Sequence, residues 1–220
     1  SWYGEMSKKK SLFVTFEGIE GSGKSYQSKK LYNKIKKMGL PVIRTREPGG
    51  TNSAEKIRKV ILDDYFSSES KEKFKKNTDT LLYLAARNEH IESKIKPAIL
   101  KKKIVICDRF IDSTLAYQVY GKGVNKNLVD TIHKYILKGI NPDITFILKV
   151  NISKAMKRLG KRKKKNRYDK FSKNFYAKVQ SAFIKISKTN KRKYIVLDNS
   201  KDTNYTENLI FNKFIKIIKK

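Results

Sequence analysis

Gly18-Ile19-Glu20-Gly21-Ser22-Gly23-Lys24-Ser25 constrains this chain more than any other stretch, because it satisfies G-x-x-x-x-G-K-[ST] at every fixed position. The pattern has a physical meaning. Its glycines let successive backbone N–H groups turn inward around an anion, and the helix that follows adds its positive dipole end. The flanks supply the context this requires. Leu12 to Phe16 is apolar, β-branched and aromatic and reads as a buried strand, while Tyr26 to Met38 reads as a helix with Leu31 and Ile35 on one face. All eight loop residues are therefore expected against nucleotide phosphates, with Lys24 reaching the β- and γ-phosphates and the Ser25 hydroxyl reaching Mg²⁺.

Strands and helices alternate along the rest of the chain. Val42 to Arg46, Ile104 to Cys107, Ile144 to Val150 and Tyr194 to Leu197 read as further strands. Between them, Asn52 or Ser53 caps a helix to about Leu62, and Thr78 to Leu100 is the longest helical pattern, with Leu81, Leu84, Ala85, Ile91 and Ile95 as its apolar stripe and Pro97 near its end. Asp63 to Asn77 shows no clear period and reads as a mobile connection. Asp112 to Tyr120, Lys126 to Leu137, a short segment capped by Ser153, Phe171 to Ser187 and a final segment bearing Ile210, Phe214 and Ile217 read as helices. Such alternation implies an α/β fold with a five-stranded, mostly parallel sheet and helices on both faces.

A chain of 220 residues with 39% hydrophobic content suits one such domain, read here as residues 7–220, with 1–6 an added or disordered extension. No apolar run approaches the length of a membrane span and no signal-peptide core precedes the first strand, so a cytoplasmic location is expected, without a membrane partner. The single cysteine, Cys107, lies in an apolar strand and is expected to be a small buried hydrophobe. A formal charge of +32 suits a polyanion partner, yet the lysines are spread over every helix rather than gathered on one. That spread reads as solvated faces, with weak salt-sensitive adhesion to polyanions and no specific nucleic-acid partner.

Chemistry-bearing residues recur where strands end. Asp108 closes an apolar strand, the place where a phosphate-loop protein puts the carboxylate that helps hold Mg²⁺. Arg46 and Arg109 follow strands, and Arg58 and Arg87 lie on neighbouring helices; guanidinium forks converging on one cleft suggest a second phosphorylated ligand facing the nucleotide. Tyr83 and Arg87, four apart, share a helix face.

Phe16 to Ser25, Thr45-Arg46-Glu47-Pro48-Gly49-Gly50-Thr51, and Asp108-Arg109-Phe110-Ile111-Asp112-Ser113-Thr114-Leu115-Ala116-Tyr117-Gln118 together resemble bacterial thymidylate kinases, in order and in spacing. The resemblance runs from about Leu12 to the last helix and implies the three-layer P-loop kinase fold, with a flexible lid at about 158–168. It implies that Arg46 and Arg109 bind the thymidylate phosphate, with Glu47 and Arg58 ordering that side. Tyr83 stands where an aromatic ring stacks on thymine. Arg87, Thr114 and Gln118 match groups that bond the base, Tyr117 the ring beside the 2′ carbon, and Glu20 the acid near the sugar hydroxyl and metal. Lid arginines Arg158, Arg162 and Arg167 become candidates for transition-state charge, since positions 19–22 of the loop carry no basic side chain. Two departures stand out: Asn166 precedes Arg167 where the family often has Asp, and Tyr26 follows Ser25 where it commonly has Thr.

The expected reaction is transfer of the ATP γ-phosphoryl group to dTMP, giving dTDP for dTTP synthesis, with ATP and dTMP as partners, Mg²⁺ as cofactor, and a homodimer implied by the resemblance. A P-loop kinase for another nucleotide or nucleoside, and a nucleic-acid-dependent P-loop ATPase, stand as the alternatives.

Overall fold

The computed structural model describes residues 11–66, 72–161, 171–201 and 203–220. Strand β1 (Phe13–Glu17) is buried at every position, as is β3 (Ile104–Asp108), because each lies inside a sheet covered on both faces. With β2 (Val42–Arg46), β4 (Ile144–Lys149) and β5 (Tyr194–Asp198) they form one sheet in the order β2-β3-β1-β4-β5. All four pairings are parallel, with Val14 opposite Ile106 on one side and Ile144 on the other. The carboxyl ends of all five strands therefore open on the same edge, where a ligand crevice forms in such sheets.

Alternation along the strands feeds two layers. Val14, Phe16, Ile106 and Phe146 point to one face, where Leu31 and Ile35 of α1 (Lys24–Lys37) and Ile210 and Phe214 of α9 (Thr203–Ile218) cover them. Phe13, Val105 and Cys107 point to the other, against Ile91 and Ile95; further along that face Ile147 meets Val179 and Phe183 of α8 (Lys173–Ser187). Phe146 is fully buried in the first of these layers, and its truncation to alanine should cost about 3–5 kcal/mol.

The remaining helices are α2 (Asn52–Phe66), α3 (Lys76–His90), α4 (Lys96–Leu100), α5 (Ile111–Thr114), α6 (Lys126–Leu137) and α7 (Ile152–Gly160). Between α3 and α4, Ile91–Ile95 is a π-turn, so the chain stays helical from Lys76 to Leu100 and Pro97 sits in the first turn of α4, where its missing N–H matters least. A second π-helical segment, Leu115–Gly121, extends α5 and carries Tyr117 and Gln118. Among the described residues no helix is long and apolar enough to cross a membrane.

Several expectations from the sequence need correction. The connection after α2 is shorter than Asp63 to Asn77, since α2 persists to Phe66 and Asp64 accepts a bond from the Phe74 N–H ahead of α3. Asn151, not Ser153, caps α7, accepting from the Lys154 N–H, and Ser172 caps α8. On α3 the inward face is Tyr83, Leu84, Ala86, Arg87 and His90, whereas Leu81 is 45% exposed and Ala85 faces outward. Leu84, Ile91 and Ile95 of the expected stripe are buried, but Leu81 and Ala85 are not, because a buried arginine and histidine hold inward positions on this helix.

Candidate active site

The phosphate loop leaves β1 at Gly18 and enters α1 at Gly23, which sits in the left-handed region at φ 88° and has no side-chain cap to offer. Two contacts explain why glycine is required. A Cβ on Gly21 would stand 2.6 Å from the Ala155 carbonyl oxygen, and one on Gly23 would stand 2.5 Å from the Asn199 amide nitrogen. Helix α7 and the residue after β5 thus close on the loop from outside. Arg158 of α7 donates to the Gly21 carbonyl at 2.9 Å and to the Asn199 carbonyl at 2.9 Å, while Asn199 Nδ2 donates to the Ser22 carbonyl at 2.8 Å. Arg158 is therefore a brace of the loop on a regular helix rather than part of a free arm. The Asn199 contribution was not anticipated, although its place just past the fifth strand puts it on the ligand edge.

At the loop's end Lys24 is 6% exposed and lies 3.5 Å from both Glu20 and Asp108, two carboxylates that fix its ammonium at the mouth of the nest. Asp108 Oδ1, the oxygen 3.5 Å from Lys24, is buried and has no hydrogen-bond partner among the described residues. It shares with Ser25 a cleft of about 410 Å³ also lined by Arg44, Arg46, Glu55 and Lys94. A buried, unbonded carboxylate oxygen next to a serine hydroxyl is a hard-oxygen donor set of the kind Mg²⁺ uses when phosphates and water complete its shell.

Arg46 reaches into this cleft with its side chain 54% exposed, 3.4 Å from Glu55, so its guanidinium is open to an incoming anion. Arg109 is different. Its backbone takes φ 69°, rare outside glycine, and its guanidinium is buried, donating to the Gly18 carbonyl (3.0 Å), Ser113 Oγ (2.9 Å), Glu20 Oε1 (2.7 Å) and Tyr117 Oη (3.4 Å), over the Tyr117 ring. Such a turn persists only where its surroundings hold it. Glu17 does so by accepting from the Phe110 and Ser113 N–H groups and from Ser113 Oγ, at 3.3, 2.9 and 2.6 Å. Burial first, then the Asp112 charge, push the Glu17 carboxyl up to about 8; burial likewise pushes Asp112 up to about 6 against the Tyr194 hydroxyl that bonds it. Burial also raises the Cys107 thiol far above its ordinary range, so it stays protonated and donates to the Arg109 carbonyl, as an inert packing group.

Glu47 and Arg87 organise the second wall. Glu47, after β2 and before a cis bond to Pro48, accepts from Arg87 Nε at 2.7 Å and pairs with His90 Nδ1 at 2.8 Å; His90 Nε2 meets Thr45 Oγ1 at 2.7 Å. Burial acts to raise this carboxyl, but the Arg87 charge and then His90 outweigh it and hold Glu47 below the usual range. Arg87 also donates to Thr114 Oγ1 (2.9 Å) and the Phe110 carbonyl (3.0 Å), and His133 Nε2 lies 2.8 Å away. Burial, followed by Arg87, pushes His133 down to about 3, so it is neutral and accepts. Arg58 donates to the Pro48 carbonyl at 2.9 Å. Tyr83 and Tyr117 pack in one buried cluster, whereas the Gln118 amide, in a residue 3% exposed, has no hydrogen-bond partner among the described residues.

The structure thus gathers every candidate that it describes on one edge of the sheet, from the loop at Gly18 to Ser25 across Asp108 and Arg109 to Gln118. Arg162 and Arg167, and most of the expected lid, lie outside the described residues. A profile of the thymidylate kinase family matches residues 16–210. The chain belongs to that family. It is 38% identical over 207 residues to a thymidylate kinase of Halothermothrix orenii, covering 93% of this chain and 96% of the relative. It is 43% identical over 206 residues to one of Wolbachia pipientis, covering 92% and 99%. A crystal structure of the Ehrlichia chaffeensis thymidylate kinase superposes with a TM-score of 0.73 at 34% identity, over 96% of this chain and all of the other. For a thymidylate kinase, Ser113, His90, His133 and Asn199 are supports that the sequence pattern did not reveal. Histidines in a helix offer no cue until the fold sets them beside a buried ion pair.

Proposed function

We infer that the chain phosphorylates dTMP to dTDP with ATP, supplying dTTP synthesis. The acceptor needs no general base, because a phosphate monoester with a second pKa near 6 is already a dianion at neutral pH. The obstacle is repulsion between two polyanions that must meet in line, so catalysis consists of positioning and positive charge. Loop residues 18–25 cradle the ATP phosphates, with Lys24 at the β- and γ-groups. Arg46 and Arg109 hold the dTMP phosphate from the other side. Glu47 and Arg58 order that wall, Tyr83 faces the base, Arg87, Thr114 and Gln118 read its polar edge, and Tyr117 and Glu20 border the sugar. Asp108 and Ser25 would hold Mg²⁺, which would supply positive charge to the donor phosphates. Arg162 or Arg167, with Arg158 bracing the loop, completes the neutralisation.

The observation that carries this reading is convergence: Ser25, Arg46 and Asp108 line one cleft on the carboxyl edge of a parallel sheet, and the Lys24 ammonium lies 3.5 Å from Asp108. The exposed Leu81 on α3 and Val60 on the adjoining α2 support a homodimer through those helices. A coupled ADP-release assay across dTMP, dUMP, dCMP, AMP and GMP tests the substrate. dTMP should give the highest kcat/KM, with dUMP lower by the roughly 1–3 kcal/mol that one methyl group is worth in an apolar pocket. Preference for a purine monophosphate would overturn the assignment.

A further inference from the structure

Arg44 has no place in the expected machinery, yet it is pinned against it. It lies in β2 opposite Ile106 of β3 and two residues before Arg46, so both arginines leave the strand on the same face and line the same cleft. Its Nη2 donates to Ser25 Oγ at 3.2 Å and to the Ser25 carbonyl at 3.0 Å, and its Nε donates to Ser28 Oγ at 3.0 Å. Ser28 Oγ in turn donates to the Ser25 carbonyl at 2.9 Å. All three bonds from Arg44 end on serine oxygens, and among the described residues it forms no ion pair with a carboxylate. A guanidinium fixed in place with neutral partners keeps its whole charge for an anion yet to arrive. Lys94, lining the same cleft from the π-turn after α3, adds a third cation beside the two arginines.

We propose that Arg44 is a positioning residue and built-in counter-charge at the metal end of the phosphate site: it holds Ser25 in place and lends a bound nucleoside diphosphate or triphosphate positive charge beside that of Lys24 and Mg²⁺. The proposal rests on the nucleotide reading of the loop. Two consequences share one sign. Arg44 attracts the phosphates whether or not metal is present, which tightens metal-free nucleotide binding. It also repels any cation taken up beside the Ser25 hydroxyl, which weakens metal binding. Both shrink the factor by which Mg²⁺ tightens nucleotide binding.

That factor is measured by calorimetric titration of ADP into the full chain in EDTA and in saturating Mg²⁺. Arg44→Gln keeps hydrogen-bonding capacity without charge, Arg44→Met keeps the apolar stem, and Arg44→Lys keeps charge without the fork; urea midpoints report the fold of each. The ratio of the two dissociation constants should rise at least about tenfold in Arg44→Gln and Arg44→Met, the scale of one unit charge lost a few ångströms away, and stay within about threefold of wild type in Arg44→Lys. Equal weakening with and without Mg²⁺ in the neutral variants would mean that Arg44 merely shapes the loop, and an unchanged ratio would mean that it does nothing for charge; either overturns the inference while leaving the nucleotide site standing. Absence of ADP binding by wild type under both conditions would overturn the nucleotide reading and the inference with it.

Discussion

Arg87→Met should unfold this protein more readily than any substitution at the cleft's rim. The guanidinium is 3% exposed, ion-paired to Glu47 at 2.7 Å, and bonded to Thr114 and to the Phe110 carbonyl. Methionine fills much of the volume but leaves Glu47 buried with His90 as its remaining side-chain hydrogen-bond partner, and strips a donor from each of the other two oxygens. Breaking one side of a buried pair costs about 3–5 kcal/mol, the bulk of it from the carboxylate left behind. For a chain of this size that lowers Tm by about 2–4 °C per kcal/mol, hence by roughly 6–20 °C. Urea and thermal unfolding read the loss directly. Adding Glu47→Gln removes the stranded charge, so the double variant should recover at least half of the lost stability. A loss below about 1 kcal/mol for Arg87→Met, or a double variant no more stable than the sum of the singles, would refute the claim that this pair organises the wall.

Lys24→Ala should abolish dTMP-dependent ADP release while the protein stays folded, with a smaller fall in urea midpoint than Arg87→Met, since Asp108 loses its ammonium at 3.5 Å but Glu20 keeps its 2.7 Å partner Arg109; near-normal turnover would sink the loop assignment. Gln118→Leu should cost more kcat/KM for dTMP than the loss of the thymine methyl does, about 1–3 kcal/mol, because the base's polar edge is left unpaired; unchanged kcat/KM places the base elsewhere. Glu17, raised to about 8 from 4.5, contributes stability that is full below pH 4.5 and lost as pH rises through 8. His133 and Asp112 contribute alike to both proteins, so the difference between profiles isolates Glu17: from pH 6.5 to 8 the urea midpoint of wild type should fall relative to that of Glu17→Gln, and parallel profiles would contradict a protonated Glu17.

The sheet was legible because its inner strands are unbroken apolar runs, and the loop because its glycines obey a steric rule that the structure makes explicit at Gly21 and Gly23. Helix faces were harder to read. On α3 the pattern pointed to Leu81 and Ala85, while the fold turns Arg87 and His90 inward; a periodicity argument assumes that cores are apolar, and this wall is held by charge. Arg109 was expected as a phosphate binder, but its left-handed backbone is held by Glu17, which meets Ser113, 96 residues on in the chain, only after folding. Asn199 and Arg158 close on the loop from two elements that no local pattern connects.

A kinase transfers the γ-phosphate to its acceptor where an ATPase gives it to water, and the fate of that group distinguishes the two. Incubating the protein with γ-³²P-ATP, Mg²⁺ and dTMP and resolving the products by thin-layer chromatography should place the label in dTDP, in amounts that match the ADP formed, with none transferred by Lys24→Ala. Label appearing as inorganic phosphate while dTMP remains unmodified would contradict the account.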